Sequence, residues 1–119
     1  MNELEEQACY NYEAFMTRAF RKRYDGSNLK LDMSTMRNLI WSEQGESAAK
    51  ILKPTPVLFA NVKKNLLQAA DKFLKFNLTD KERAIIEEER QQIDLATDSA
   101  GLIRSINRVV DITDQFRLN

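Results

Sequence analysis

Phe59, Val62, Leu66, Ala69, Phe73 and Phe76 follow one another at steps of three, four, three, four and three. An α-helix, at 3.6 residues per turn, gathers all six on one stripe, whereas a strand would scatter them over both faces of a sheet. Leu67, Ala70 and Leu74 widen the stripe, which predicts a central helix in contact with more than one neighbour. Lys53-Pro54-Thr55-Pro56 marks where it opens. Pro54 disfavours helical geometry at Lys53 and lacks an N–H, so nothing upstream runs through it. Pro56, behind a capping Thr55, suits the first helical position, where its missing N–H costs nothing.

The other segments read as helices too. From residue 2 to residue 24, Leu4, Ala8, Tyr12, Phe15, Met16, Ala19 and Phe20 recur at three- and four-residue steps, and the turn-forming Asp25-Gly26-Ser27-Asn28 follows. Asp32 is expected to cap a second helix, with Leu31 packing on Met36 and with Met33, Met36, Leu39 and Ile40 turned inward. Between 33 and 53 the pattern fits one helix or two divided near Gly45. Thr79 and Glu82 form a capping box that starts another helix, whose buried set is expected to be Ile85, Ile86, Ile93 and Ala96 beneath a polar face at 87–92. Thr97, Asp98 or Ser99 then caps a last helix bearing Leu102, Ile106, Val109, Val110 and Phe116, unless 79–116 runs as one. The expected fold is all-α: a single domain over residues 1–119, a bundle of four to five helices.

With three glycines and two prolines in 119 residues, the chain lacks the turn residues of an all-β fold and the composition of a disordered one. It carries one cysteine, Cys9, read as a small buried residue, so no disulfide and no multi-cysteine zinc site can form within it. Residues 1–10 carry glutamates where a secretory leader would place basic residues, and no apolar run approaches the ~18 residues of a membrane span. A cytoplasmic location without membrane association is expected.

Catalytic options are few. Histidine is absent, which removes Ser-His, Cys-His and zinc-hydrolase chemistry. Gly26, Gly45 and Gly101 stand apart, so no glycine-rich loop can cradle a phosphate. Glu3 with Glu6, and Glu43 with Glu46, have the spacing of carboxylates that hold Mg²⁺ or Mn²⁺, yet no Glu-x-x-Asp partner accompanies them and they read as solvated helix faces. We therefore expect no enzyme, no cofactor, no metal and no small-molecule substrate.

The net charge is zero, but its distribution is uneven. Over 17–37 six basic residues face two acids; over 50–76 six lysines face Asp71 alone; over 78–98 seven acids face three basic residues. One account places the acidic helix beside a basic one, in the same chain or in a second copy. The other has the basic segments bind phosphates. Residues 48–64 support the second account, since their alanines, Leu52, Phe59 and Val62 are spaced in a way similar to a helix-turn-helix, although Lys53-Pro54 stands where that motif usually has a glycine and an aliphatic residue. On that reading Asn61, Lys63 and Lys64 reach the bases, while Arg18, Arg21, Lys22 and Arg23 add phosphate contacts. Trp41 is the candidate anchor for a protein partner.

The first expectation is a non-enzymatic helical module for protein–protein binding or self-association, its partner a second copy or another protein. The alternative is a DNA- or RNA-binding regulator that uses 48–64.

Overall fold

The structure, a computed structural model, describes residues 3–20, 35–44 and 55–116. Five helices account for nearly all of them: α1 (Glu3–Phe20), α2 (Thr35–Gln44), α3 (Thr55–Leu74), α4 (Asp80–Leu95) and α5 (Ser99–Thr113). The fold is all-α, and no strand occurs among the described residues. The expected cap at Asp32, the Leu31 staple, the last residues of the first predicted segment (21–24), and the question whether 33–53 holds one helix or two fall at least partly outside the described residues.

Contacts between helices set their directions. Asn11 on α1 meets Asn107 on α5, and Arg18 one end further on meets Asp114, so α1 and α5 run parallel. Tyr12 with Asn65 and Phe15 with Phe73 make α3 parallel to α1 as well. Lys63 with Ala96 and Asp71 with Arg90 make α4 antiparallel to α3. The first turns of α1, α3 and α5 thus share one end of the bundle with the last turn of α4. α3 packs on α1, α2 and α4, the central position its wide stripe predicts.

The core is built from the predicted stripes. Ala8, Tyr12, Phe15, Met16 and Ala19 of α1, Met36, Leu39 and Ile40 of α2, Val62, Leu66, Ala69 and Phe73 of α3, and Leu102, Ile106 and Val109 of α5 are all buried. The Phe15 and Phe73 rings stack at 5.1 Å, with Phe76 edge-on to Phe73 at 5.3 Å. Each fully buried side chain of this size contributes about 1.5–3 kcal/mol by leaving water. One polar bond runs through the core, the Asn65 Nδ2–H donating to the Tyr12 hydroxyl at 2.9 Å.

Helix ends follow the capping chemistry in the sequence. The Thr79 side chain accepts from Glu82 N–H and the Glu82 carboxylate accepts from Thr79 N–H, closing the predicted box. Residues 79–116 form two helices, because Asp98 adopts extended backbone and accepts the Gly101 N–H at 2.8 Å, which starts α5 afresh. A Cβ on Gly101 would stand 3.3 Å from Ala96 Cβ, so the glycine lets α5 begin close against the end of α4.

Five expectations are corrected. Ile85, expected in the buried set of α4, is only half-buried, because it lines the open groove beside α5. Cys9, read as buried, is likewise half-buried on α1. Leu4, aligned with the buried stripe of α1, is 67% exposed, because it lies on the first turn at the end of the bundle. Phe76 lies beyond α3, which closes at Leu74 with the tighter bonds Lys75 N to Lys72 O and Phe76 N to Phe73 O. The polar face at 87–92 is interrupted by Glu89, which is buried.

Candidate interaction surface

Ile86, Glu89, Ile93 and Ala96 are spaced three, four and three, so Glu89 belongs to the stripe that α4 turns toward the bundle. Its side chain is 8% exposed. A carboxylate there requires a charged partner, and α5 supplies one: Arg108 Nε donates to Glu89 Oε1 at 2.7 Å. Glu89 Oε2 is buried with no hydrogen-bond partner. Arg108 is half exposed, and no hydrogen bond engages its two Nη nitrogens among the described residues. The bond to Glu89 lifts the Arg108 pKa further above its ordinary range, so the guanidinium is permanently charged.

This ion pair lies in the groove between α4 and α5, which has two basins. One, of about 530 Å³, is lined by Ile85, Glu88, Glu89, Gln92, Arg108 and Ile112. The other, of about 260 Å³, lies toward the α4–α5 link, with Leu95, Asp98 and Arg104 among its walls. Gln92 and Arg108 line both and form the rib between them. Leu95, 62% exposed, stands at the rim. The surface sets the apolar side chains of Ile85, Ile112 and Leu95 beside the half-exposed guanidinium of Arg108, a set suited to recognition.

Comparison with known protein families, curated proteins and solved structures gives no match. The groove therefore stands on its own chemistry.

The candidate residues from the sequence fall elsewhere. Arg18 closes the C-terminus of α5, donating to Val110 O at 3.0 Å, Thr113 Oγ1 at 3.1 Å and Asp114 Oδ1 at 3.1 Å. Lys63 Nζ donates to Ala96 O at 3.0 Å, just past the end of α4. Arg83, not singled out by sequence reasoning, does the same for α3, donating to Leu74 O and Phe76 O. Each cation meets the carbonyl-rich, partially negative end of a neighbouring helix. Lys64 is exposed and Asn61 half-buried, both on α3. Trp41 lies on α2, with its side chain outside the described residues, as are Arg21, Lys22, Arg23 and the turn of the helix-turn-helix-like stretch. No three acidic or cysteine side chains gather at metal-binding distance among the described residues, and none of their helices is long and apolar enough to cross a membrane.

Sequence reasoning missed Glu89, Arg108 and Leu95. The signal for Glu89 was present, as an acid in line with Ile86 and Ile93 on an apolar stripe. Arg108 and Leu95 carry no comparable mark, because their roles depend on how far α4 and α5 separate.

Proposed function

We propose that this chain is a non-enzymatic helical module that self-associates. The observation that carries the reading is the exposure of large apolar side chains: Leu4, Tyr10, Val57 and Leu95 all stand in water. A chain that hides Phe15, Leu66 and Ile106 completely has the apolar residues to fill its core, and the large apolar side chains left outside are available to meet a partner. Leu95 also borders the α4–α5 groove.

A second copy is the partner favoured by charge. The chain is neutral as a whole, so two copies approach without net repulsion, and local pairs of opposite sign set their orientation. Sedimentation equilibrium over a range of concentrations tests the reading. The expected outcome is a dimer of twice 13.8 kDa whose dissociation constant holds or tightens as salt rises, because apolar burial dominates it. A single 13.8 kDa species at every concentration overturns the reading.

The rival, a nucleic-acid-binding regulator, draws on Lys64 and on Arg21, Lys22 and Arg23. Its signature is a duplex mobility shift that weakens steeply with salt and is reduced in Lys64→Glu. Arg18 and Lys63 serve it poorly, since each already occupies a helix terminus.

A further inference from the structure

We infer that the smaller basin between α4 and α5 binds the phosphate group of a small phosphate monoester, held by Arg104, Ser105 and Arg108. The inference is independent of self-association and concerns binding alone. Arg108 lies three positions after Ser105 and four after Arg104, so the three residues share one face of α5, and all three line the basin of about 260 Å³.

Two features of that face have no explanation within the fold. Ser105 is 3% exposed, yet its hydroxyl makes no hydrogen bond among the described residues. A buried hydroxyl ordinarily finds a partner, and on a helix the carbonyl four residues back is within reach, as Thr113 shows by donating to Val109 O at 2.8 Å. Arg104 and Arg108 are like charges one turn apart, an arrangement that costs a helix stability. Arg104 makes no ion pair or hydrogen bond among the described residues, and Arg108 bonds Glu89 through Nε, with neither Nη nitrogen engaged.

One ligand accounts for both. A phosphate monoester carries about −1.5 to −2 charge at neutral pH and three acceptor oxygens, which two guanidinium groups and a hydroxyl can fill together. A carboxylate, with one charge and two oxygens, leaves part of that set unmet. The two nearby acids are already engaged, Asp98 with the Gly101 N–H that it caps and Glu89 with Arg108. Gln92 adds an amide donor from α4, and Leu95 at the rim gives the organic part of the ester an apolar contact. The basin falls just below the roughly 300–1,000 Å³ of pockets for drug-sized ligands, which suits a small ester.

Amide shifts of the full chain, titrated to about 10 mM with phenyl phosphate and in parallel with inorganic phosphate, test the inference. The phenyl phosphate shifts are expected to gather at Gln92, Arg104, Ser105 and Arg108 and to saturate with a dissociation constant below about 1 mM. Inorganic phosphate should bind more weakly, since it lacks the group that meets Leu95. Ser105→Ala, which alters no charge, and Arg104→Gln, at an exposed position, are each expected to weaken binding about tenfold. Lys81→Gln removes the same charge from the exposed first turn of α4 and should leave the affinity unchanged. Arg108 is kept, because its loss strands Glu89. A drift without saturation overturns the inference, as do equal losses in Arg104→Gln and Lys81→Gln, which would reduce the effect to diffuse attraction. Benzoate bound as tightly as phenyl phosphate overturns the choice of phosphate, and inorganic phosphate bound as tightly overturns the ester. Circular dichroism verifies folding, and Arg104→Gln decides alone should Ser105→Ala not fold.

Discussion

Arg90, on the acid-rich helix, donates through Nε to Asp71 Oδ1 at 2.6 Å, and Asp71 is the one acid within the lysine-rich stretch of α3. The two charge blocks therefore do sit side by side, but this bond between them runs opposite to the sign of each block. Both side chains are well exposed, so the pair contributes at most about 1 kcal/mol. Asp71→Asn is expected to lower stability by less than that, and the difference should shrink at high salt. Urea denaturation at low and high salt measures both.

Arg18 has a different task from the phosphate contact its neighbours Arg21, Lys22 and Arg23 suggest. It holds two oxygens at the end of α5 while largely sheltered from water. Arg18→Met keeps the apolar stem and removes the donors, and is expected to cost about 1–3 kcal/mol. Unlike the Asp71 effect, the loss should persist at high salt, because two of its three acceptors are uncharged.

The Glu89–Arg108 pair predicts a non-additive double variant. Arg108→Ala strands a buried carboxylate and is expected to cost about 3 kcal/mol. Combining it with Glu89→Leu should recover most of that loss, since the stripe of α4 then becomes apolar throughout. Chemical denaturation of the two singles and the double closes the cycle.

How much of this was legible in the sequence follows from range. The helical segments, expected to number four to five, the Thr79 box and the central place of α3 came from spacing and capping, which act within a few residues and leave a direct trace. Leu4 kept the right phase yet lies outside the core, because phase says which way a residue points and not whether a neighbour reaches it. The three helix-end cations were misread or overlooked for a related reason. A Lys63 that donates to Ala96, 33 positions away, looks in the sequence like any solvated lysine. The groove was beyond reach altogether, as it is the space two helices leave between them.

Cys9 predicts a pH effect. Burial pushes its thiol above the ordinary range, with Arg37 pulling weakly the other way. The fold thus favours the neutral thiol, so this contribution is whole below the unfolded thiol's pKa and fades as pH rises through the higher folded value. Relative to Cys9→Ser, the wild type is expected to lose stability as pH rises past the unfolded thiol's value of about 8.5. The native thiol should also react with a disulfide reagent more slowly than in denaturant, and equal rates would show the side chain to be open.

Concentration-dependent amide shifts give the most direct test of the claim that copies of this chain associate. Recorded from dilute to concentrated protein, the shifts are predicted to gather around one or more of the exposed apolar residues Leu4, Tyr10, Val57 and Leu95 and to leave the buried Phe15, Leu66 and Ile106 unmoved. A spectrum that does not change with concentration would contradict it.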